Sequence, residues 1–264
     1  MIAVDQVEVT FGRGTPLETR ALRGLSLSVG EGEFVTVIGS NGAGKSTLLG
    51  VLTGDVTPER GRVLIDNGDV TASRAPRRAA LVARVFQDPK AGTCEALTIE
   101  ENLALAAARG TPRGFGAALH PRRRALFRER LAILGLGLEN RLGDRVGLLS
   151  GGQRQAVSLV MATLAPAKIL LLDEHTAALD PRTAALILSL TDRIIRESRL
   201  TALMVTHSMR QALDHGSRTV MLHEGKVAFD VAGPERSRLD VTDLLALFRR
   251  VRGEELADDA LVVG

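Results

Sequence analysis

Apolar and polar residues alternate over 4–11 and again over 25–29, the period of a strand with one buried face. Gly30-Glu31-Gly32-Glu33 reads as a turn into an uninterrupted β-branched run, 34–38, which predicts a strand buried on both faces. Val63-Leu64-Ile65 predicts a short strand ending in the turn Asp66-Asn67-Gly68, and Val82 to Phe86 a core strand. From about 98 to 164 the period becomes helical, broken by a Gly/Pro/Arg-rich stretch at 110–124 that reads as an exposed connection. Strands return at 169–173 and 201–206 around an amphipathic helix at 183–198. A hairpin follows over 218–230, turning at Glu224-Gly225, then a helix over 241–251 and a fraying acidic tail. Continuous apolar strands separated by helices predict an α/β fold whose parallel sheet is covered on both faces. No internal repeat is present.

Between the strand at 34–38 and the helical run from Thr47 lie Gly39, Ser40, Asn41, Gly42, Ala43, Gly44, Lys45, Ser46 and Thr47. This is G-x-x-x-x-G-K-[ST] in the strand–loop–helix context that gives the pattern meaning. Glycines let several N–H groups turn toward one anion, and the helix N-terminus adds partial positive charge. Lys45 supplies a point charge for β- and γ-phosphates, and the Ser46 hydroxyl suits Mg²⁺. Lys45, Lys90, Lys168 and Lys226 are the only lysines among 34 basic residues, so a lysine here stands out against arginine elsewhere.

Composition narrows the classes. A chain of 264 residues with 45% hydrophobic content can bury a full core, as one large domain or two small ones. No apolar run is long enough to cross a bilayer, and the N-terminus has no secretion pattern. A single cysteine, Cys94, excludes an internal disulfide and fits a reducing, cytosolic compartment. The charge of +3 does not call for nucleic acid, and without Trp or Tyr a base-stacking platform is disfavoured. The arginines at 122–124, 128 and 130 leave two readings open: a solvated helix face, or a contact with lipid headgroups or a partner.

Two further stretches carry chemistry. The strand at 169–173 ends in Asp173-Glu174, and carboxyl ends of parallel strands face the ligand crevice. Asp173 is placed for the Mg²⁺ shell and Glu174 for orienting or deprotonating water. Taken alone they are two solvated acids at a strand end; the phosphate loop in the same chain gives them a role. Leu149 leads into Ser150, Gly151, Gly152 and Gln153, with Ser150 as N-cap of a helix over 153–165. That is a second anion-binding helix terminus. One nucleotide and two such termini imply two ligands or a site shared between two molecules.

These three stretches, in this order and spacing, resemble the nucleotide-binding subunit of an ABC transporter, a likeness that runs to about residue 230. The resemblance implies a P-loop NTPase (RecA-like) core with a mostly parallel sheet, an antiparallel β subdomain and an inserted helical subdomain. The core and β subdomain would occupy 1–90 and 155–264, the helical subdomain 91–154. It implies a head-to-tail homodimer clasping two ATP with Mg²⁺, each held by Gly39–Thr47 of one copy and Ser150–Gln153 of the other. Gln87 matches the loop that senses Mg²⁺ and water, Asp180 the loop crossing the dimer interface, and His207 the histidine that contacts the γ-phosphate. Phe11 matches the aromatic on which adenine stacks, with a core position as the competing reading. Where many relatives have proline, this chain has His175, read as a tolerated loop residue rather than a titrating neighbour of the catalytic carboxylate. The segments 88–95 and 110–124 are candidates for partner contacts.

Without a membrane span of its own, such a subunit needs integral membrane permease partners. The likeness is to bacterial importers that also use an extracytoplasmic solute-binding protein, and to a group thought to handle amino acids. It implies a peripheral place on the cytoplasmic face of the cell membrane. The alternative is a soluble ABC ATPase of a cofactor (iron–sulfur) assembly complex.

Overall fold

A computed structural model describes residues 1–111 and 118–252 of the chain. Among them the strands are β1 (Ile2–Phe11), β2 (Thr19–Val29), β3 (Phe34–Ile38), β4 (Arg60–Ile65), β5 (Gly68–Asp69), β6 (Val82–Val85), β7 (Ile169–Asp173), β8 (Ala202–Val205), β9 (Arg218–His223) and β10 (Lys226–Ala232). They form an antiparallel sheet, β2-β1-β4-β5, and a six-stranded sheet, β10-β9-β3-β8-β7-β6. In the larger sheet every adjacent pair from β9 to β6 is parallel, and β10 adds an antiparallel edge. This is the α/β class that the apolar runs predicted.

Alternation along the central strands divides the interior. Val35, Val37, Leu171, Leu203 and Val205 face the antiparallel sheet and the helix Lys45–Thr53. Phe34, Leu170, Leu172, Ala202 and Met204 face the opposite layer, with the helices Ile99–Ala107, Gly151–Leu164 and Pro181–Ser198. With both faces covered, the strands have no polar side to spare. A third cluster seats Leu244 and Phe248 of the helix Val241–Arg252 against Ile38 and Met221.

Register then fixes the site. Val37 pairs with Val205, Asp173 with Val205, and Val85 with Leu172. The carboxyl ends of β3, β8, β7 and β6 therefore reach one edge together, and the residues just beyond them emerge side by side. The buried guanidinium of Arg78 anchors the far end of Lys45–Thr53, donating to the carbonyls of Val51, Leu52 (3.1 Å) and Val70 (2.6 Å). A cation at a helix C-terminus is also favoured by the dipole.

Several elements extend beyond their expected bounds. β2 begins at Thr19, not 25, because Arg20, Arg23 and Gly24 interrupt the apolar pattern while the backbone pairs on with β1. The helix expected over 153–165 starts at Gly151. Residues 112–117 of the 110–124 stretch, and the acidic tail beyond 252, lie outside the described residues.

Candidate functional site

The phosphate loop closes the turn from β3 into Lys45–Thr53. Gly44, the helix N-cap, has φ of 102°, and a Cβ there would lie 2.7 Å from the Ala21 carbonyl oxygen. Only glycine fits both demands. No side chain caps this helix, so its first amides keep their donors for an anion. Lys45 is buried, its ammonium donating to the carbonyls of Gly39 (2.6 Å) and Ser40 (3.0 Å). Burial lowers its pKa, opposed by the negative charges of Glu174 and Asp173.

Across the crevice, Glu174 follows β7 with φ of 45°, a left-handed conformation uncommon for a side chain of its size. Its N–H donates to the Val205 carbonyl (3.0 Å), which fixes the turn against β8. His207, just past β8, lies with Nε2 2.6 Å from Glu174 Oε1. The contact is within hydrogen-bond distance. The structure thus brings Lys45, Asp173, Glu174 and His207 to one sheet edge. Gln87 stands past β6, exposed.

The second helix terminus is built differently. Ser150 Oγ accepts from the Gln153 N–H (3.3 Å), while Gln153 Oε1 accepts from the Ser150 N–H (3.2 Å), a reciprocal capping box. The Ser150 hydroxyl proton and the Gly151 and Gly152 amides remain outside that box. Gly152 has a second reason to be glycine, because a Cβ there would overlap the Thr183 methyl. Thr183 belongs to the helix Pro181–Ser198, whose N-cap is Asp180, accepting from the Thr183 N–H (3.1 Å). Those hydrogen bonds hold the exposed Asp180 carboxyl below its usual range.

Phe11 ends β1 and is 45% exposed, so its ring is a surface feature and not part of the core. His175 has an environment that the sequence did not announce. It lies in the turn after β7, as expected of a loop residue, but it is buried, with Nε2 3.1 Å from Thr191 Oγ1. Burial, aided by His215, pushes its pKa down to about 4 against the pull of Asp192. A base whose folded pKa is depressed takes up its proton only on unfolding. The folded state is therefore penalised as pH falls from about 6.5 toward about 4, and unaffected above that window. The loss is about 3 kcal/mol. We expect His175→Asn to flatten the acid limb of the stability curve by that order, read from urea midpoints between pH 7 and 4; an unchanged limb refutes this.

Other residues at the site gave little sign in the sequence. Arg84 on β6 pairs with Asp173 (2.6 Å) and Asp55 (3.6 Å) and stacks on the Phe86 ring. A lone charge inside an apolar strand was the available signal. Gln155, fully buried in Gly151–Leu164, donates to the Phe86 carbonyl (3.0 Å), tying that helix to the residue before Gln87. Arg154 pairs with Glu95 (2.5 Å), tying it to the segment 88–95 as well.

These features suit a magnesium nucleoside triphosphate. An uncapped helix terminus and a buried ammonium meet the charge of the phosphates. Asp173, Ser46 and Gln87 offer oxygen donors alone, the set a hard dication takes. An anion cradle at the carboxyl edge of a doubly covered parallel sheet defines the class of phosphate-loop nucleotide-binding proteins.

The chain belongs to the ABC transporter family, whose model matches residues 22–177, and is an ATPase of that family. A tyrosine transport ATP-binding protein of Clostridioides difficile is 45% identical over 94% of this chain and 98% of its own length. An aliphatic sulfonates import ATP-binding protein of Agrobacterium fabrum is 35% identical over 87% of this chain and 79% of its own. Among solved structures, the ATP-binding cassette MJ0796, dimeric and bound to ADP and Pi after hydrolysis, is 30% identical with a TM-score of 0.75. That match covers 88% of this chain and 98% of the cassette.

Proposed function

We propose that this chain is the ATP-hydrolysing subunit of a membrane importer for a small solute, an amino acid before other classes. The observation that carries the reading is the convergence of Lys45, Asp173, Glu174 and His207 on one sheet edge. The amino-acid preference rests on the tyrosine transport relative, matched over nearly its full length. The active form is a homodimer in which Gly39–Thr47 of one copy and Ser150–Gln153 of the other enclose each nucleotide. The dimeric state of the MJ0796 cassette supports this.

Loop amides and Lys45 hold the β- and γ-phosphates. Ser46, Asp173 and Gln87 would hold Mg²⁺, which when bound would neutralise charge developing on the phosphoryl oxygens. Glu174 accepts the proton of the attacking water through the oxygen His207 leaves free, and His207 fixes the carboxylate's orientation. Phe11 receives the adenine ring and Asp180 faces the opposing copy. No helix among the described residues is long and apolar enough to cross a membrane, so permease subunits supply the path. The chain then sits peripherally on the cytoplasmic face, and an extracytoplasmic binding protein delivers the solute.

The test is affinity purification of the tagged chain from membranes, followed by uptake of labelled tyrosine into proteoliposomes holding the recovered complex. We expect integral membrane proteins to copurify and uptake to require ATP. Recovery of soluble scaffold proteins without a permease overturns the importer reading. ATP-driven uptake of another solute but not tyrosine overturns only the preference for amino acids.

A further inference from the structure

Arg84 is the one cation that touches the proposed metal-binding carboxylate among the described residues, and its surroundings are unusual. It stands on β6 opposite Leu171, hence on the same face of the sheet as Asp173, and reaches past the strand end. One terminal nitrogen lies 2.6 Å from Asp173 Oδ2, the other 3.6 Å from Asp55 Oδ2, and the guanidinium carbon 4.6 Å from the Phe86 ring centre. The Arg84 and Asp173 side chains are 19% and 14% exposed, so solvent screens this pair only in part. Asp55 is 53% exposed and also accepts from Thr53 Oγ1 (2.7 Å). Arg84 Nε is buried with no hydrogen-bond partner. The guanidinium is thus shared between two acids without being saturated by either.

We infer that Arg84 is a positioning residue that acts as an internal counter-ion to Asp173, tempering the hold of the nucleotide-loaded site on its divalent cation, while Asp55 draws part of that charge away. The inference rests on the assignment of Asp173 to the metal. A dication at Asp173 meets the guanidinium at close range, and in a half-buried site that repulsion outweighs the ordering Arg84 gives the carboxylate. Arg84 therefore weakens cation binding and favours metal release once hydrolysis is complete. Asp55 works against it from just beyond the end of the helix Lys45–Thr53.

Mn²⁺ titration followed by electron paramagnetic resonance tests this, using full-length protein with saturating ATP in a Glu174→Gln background that blocks turnover. Arg84→Met is expected to bind Mn²⁺ about fivefold or more tightly than the parent. Arg84→Lys, which keeps the charge, should stay within about twofold. Asp55→Asn should weaken binding by about twofold, and should do nothing when Arg84 is already Met, because Asp55 acts through Arg84. Unchanged or weaker Mn²⁺ binding by an Arg84→Met protein of native melting temperature overturns the inference. Should that variant not fold, Asp55→Asn with unaltered Mn²⁺ affinity overturns it equally. A parent that binds ATP but never Mn²⁺ refutes the metal assignment of Asp173, a different failure from parental binding that the Arg84 and Asp55 changes leave untouched.

Discussion

Replacing Glu174 by Gln is expected to slow ATP hydrolysis by about 10²–10³-fold while ATP still binds. The amide keeps the size of the side chain and can still accept from His207 Nε2 through its carbonyl oxygen, so the 2.6 Å contact and the left-handed turn both have reason to survive. What disappears is the basic oxygen that takes the water proton. In the proposed shared pocket, intact phosphates keep the second half engaged, so dimers should accumulate. Gel filtration with and without ATP, beside phosphate release, checks both halves. A Glu174→Gln protein that remains monomeric at every ATP concentration removes the shared-pocket model for this chain.

Lys45→Ala is expected to weaken ATP binding by about 100-fold, near 2.7 kcal/mol, measured by calorimetric titration. The ammonium is buried and compensated by two loop carbonyls and by the fields of Glu174 and Asp173. Deleting it removes the buried positive charge proposed to meet the phosphates, and also the crosslink from the helix back to Gly39 and Ser40. Loss through the second route alone would appear as a lowered melting temperature without nucleotide. Undiminished ATP affinity contradicts the assigned role.

The parts of this fold legible in sequence were those specified locally. The β3–loop–helix unit is contiguous, so its pattern is complete within a few neighbouring positions. β7 and β8 were legible because strands covered on both faces are apolar throughout. β2 was half hidden, since Arg20, Arg23 and Gly24 interrupt its pattern while cross-strand pairing carries it through. β5 and the single helical turn Ala75–Arg78 are too short to show a period. At the site, residue types pointed to Lys45, Asp173 and Glu174, whereas the Glu174–His207 contact depends on the register between β7 and β8. The burial of His175 was hidden for the same reason: it comes from the packing of Pro181–Ser198, which nothing near position 175 announces. Arg84 reaches Asp173, 89 positions along the chain, only because β6 and β7 are neighbours.

The two helix ends differ in one respect that sets an order of events. The end at Lys45 has no side-chain cap, whereas at the end at Gly151 one amide, that of Gln153, already donates to Ser150. An anion therefore gains more at the first than at the second, and a solitary copy should load its own nucleotide well before it recruits a companion. In the proposed dimer, pairing is then the late, weaker and more adjustable step, the natural place for a transported solute to set the pace of the cycle.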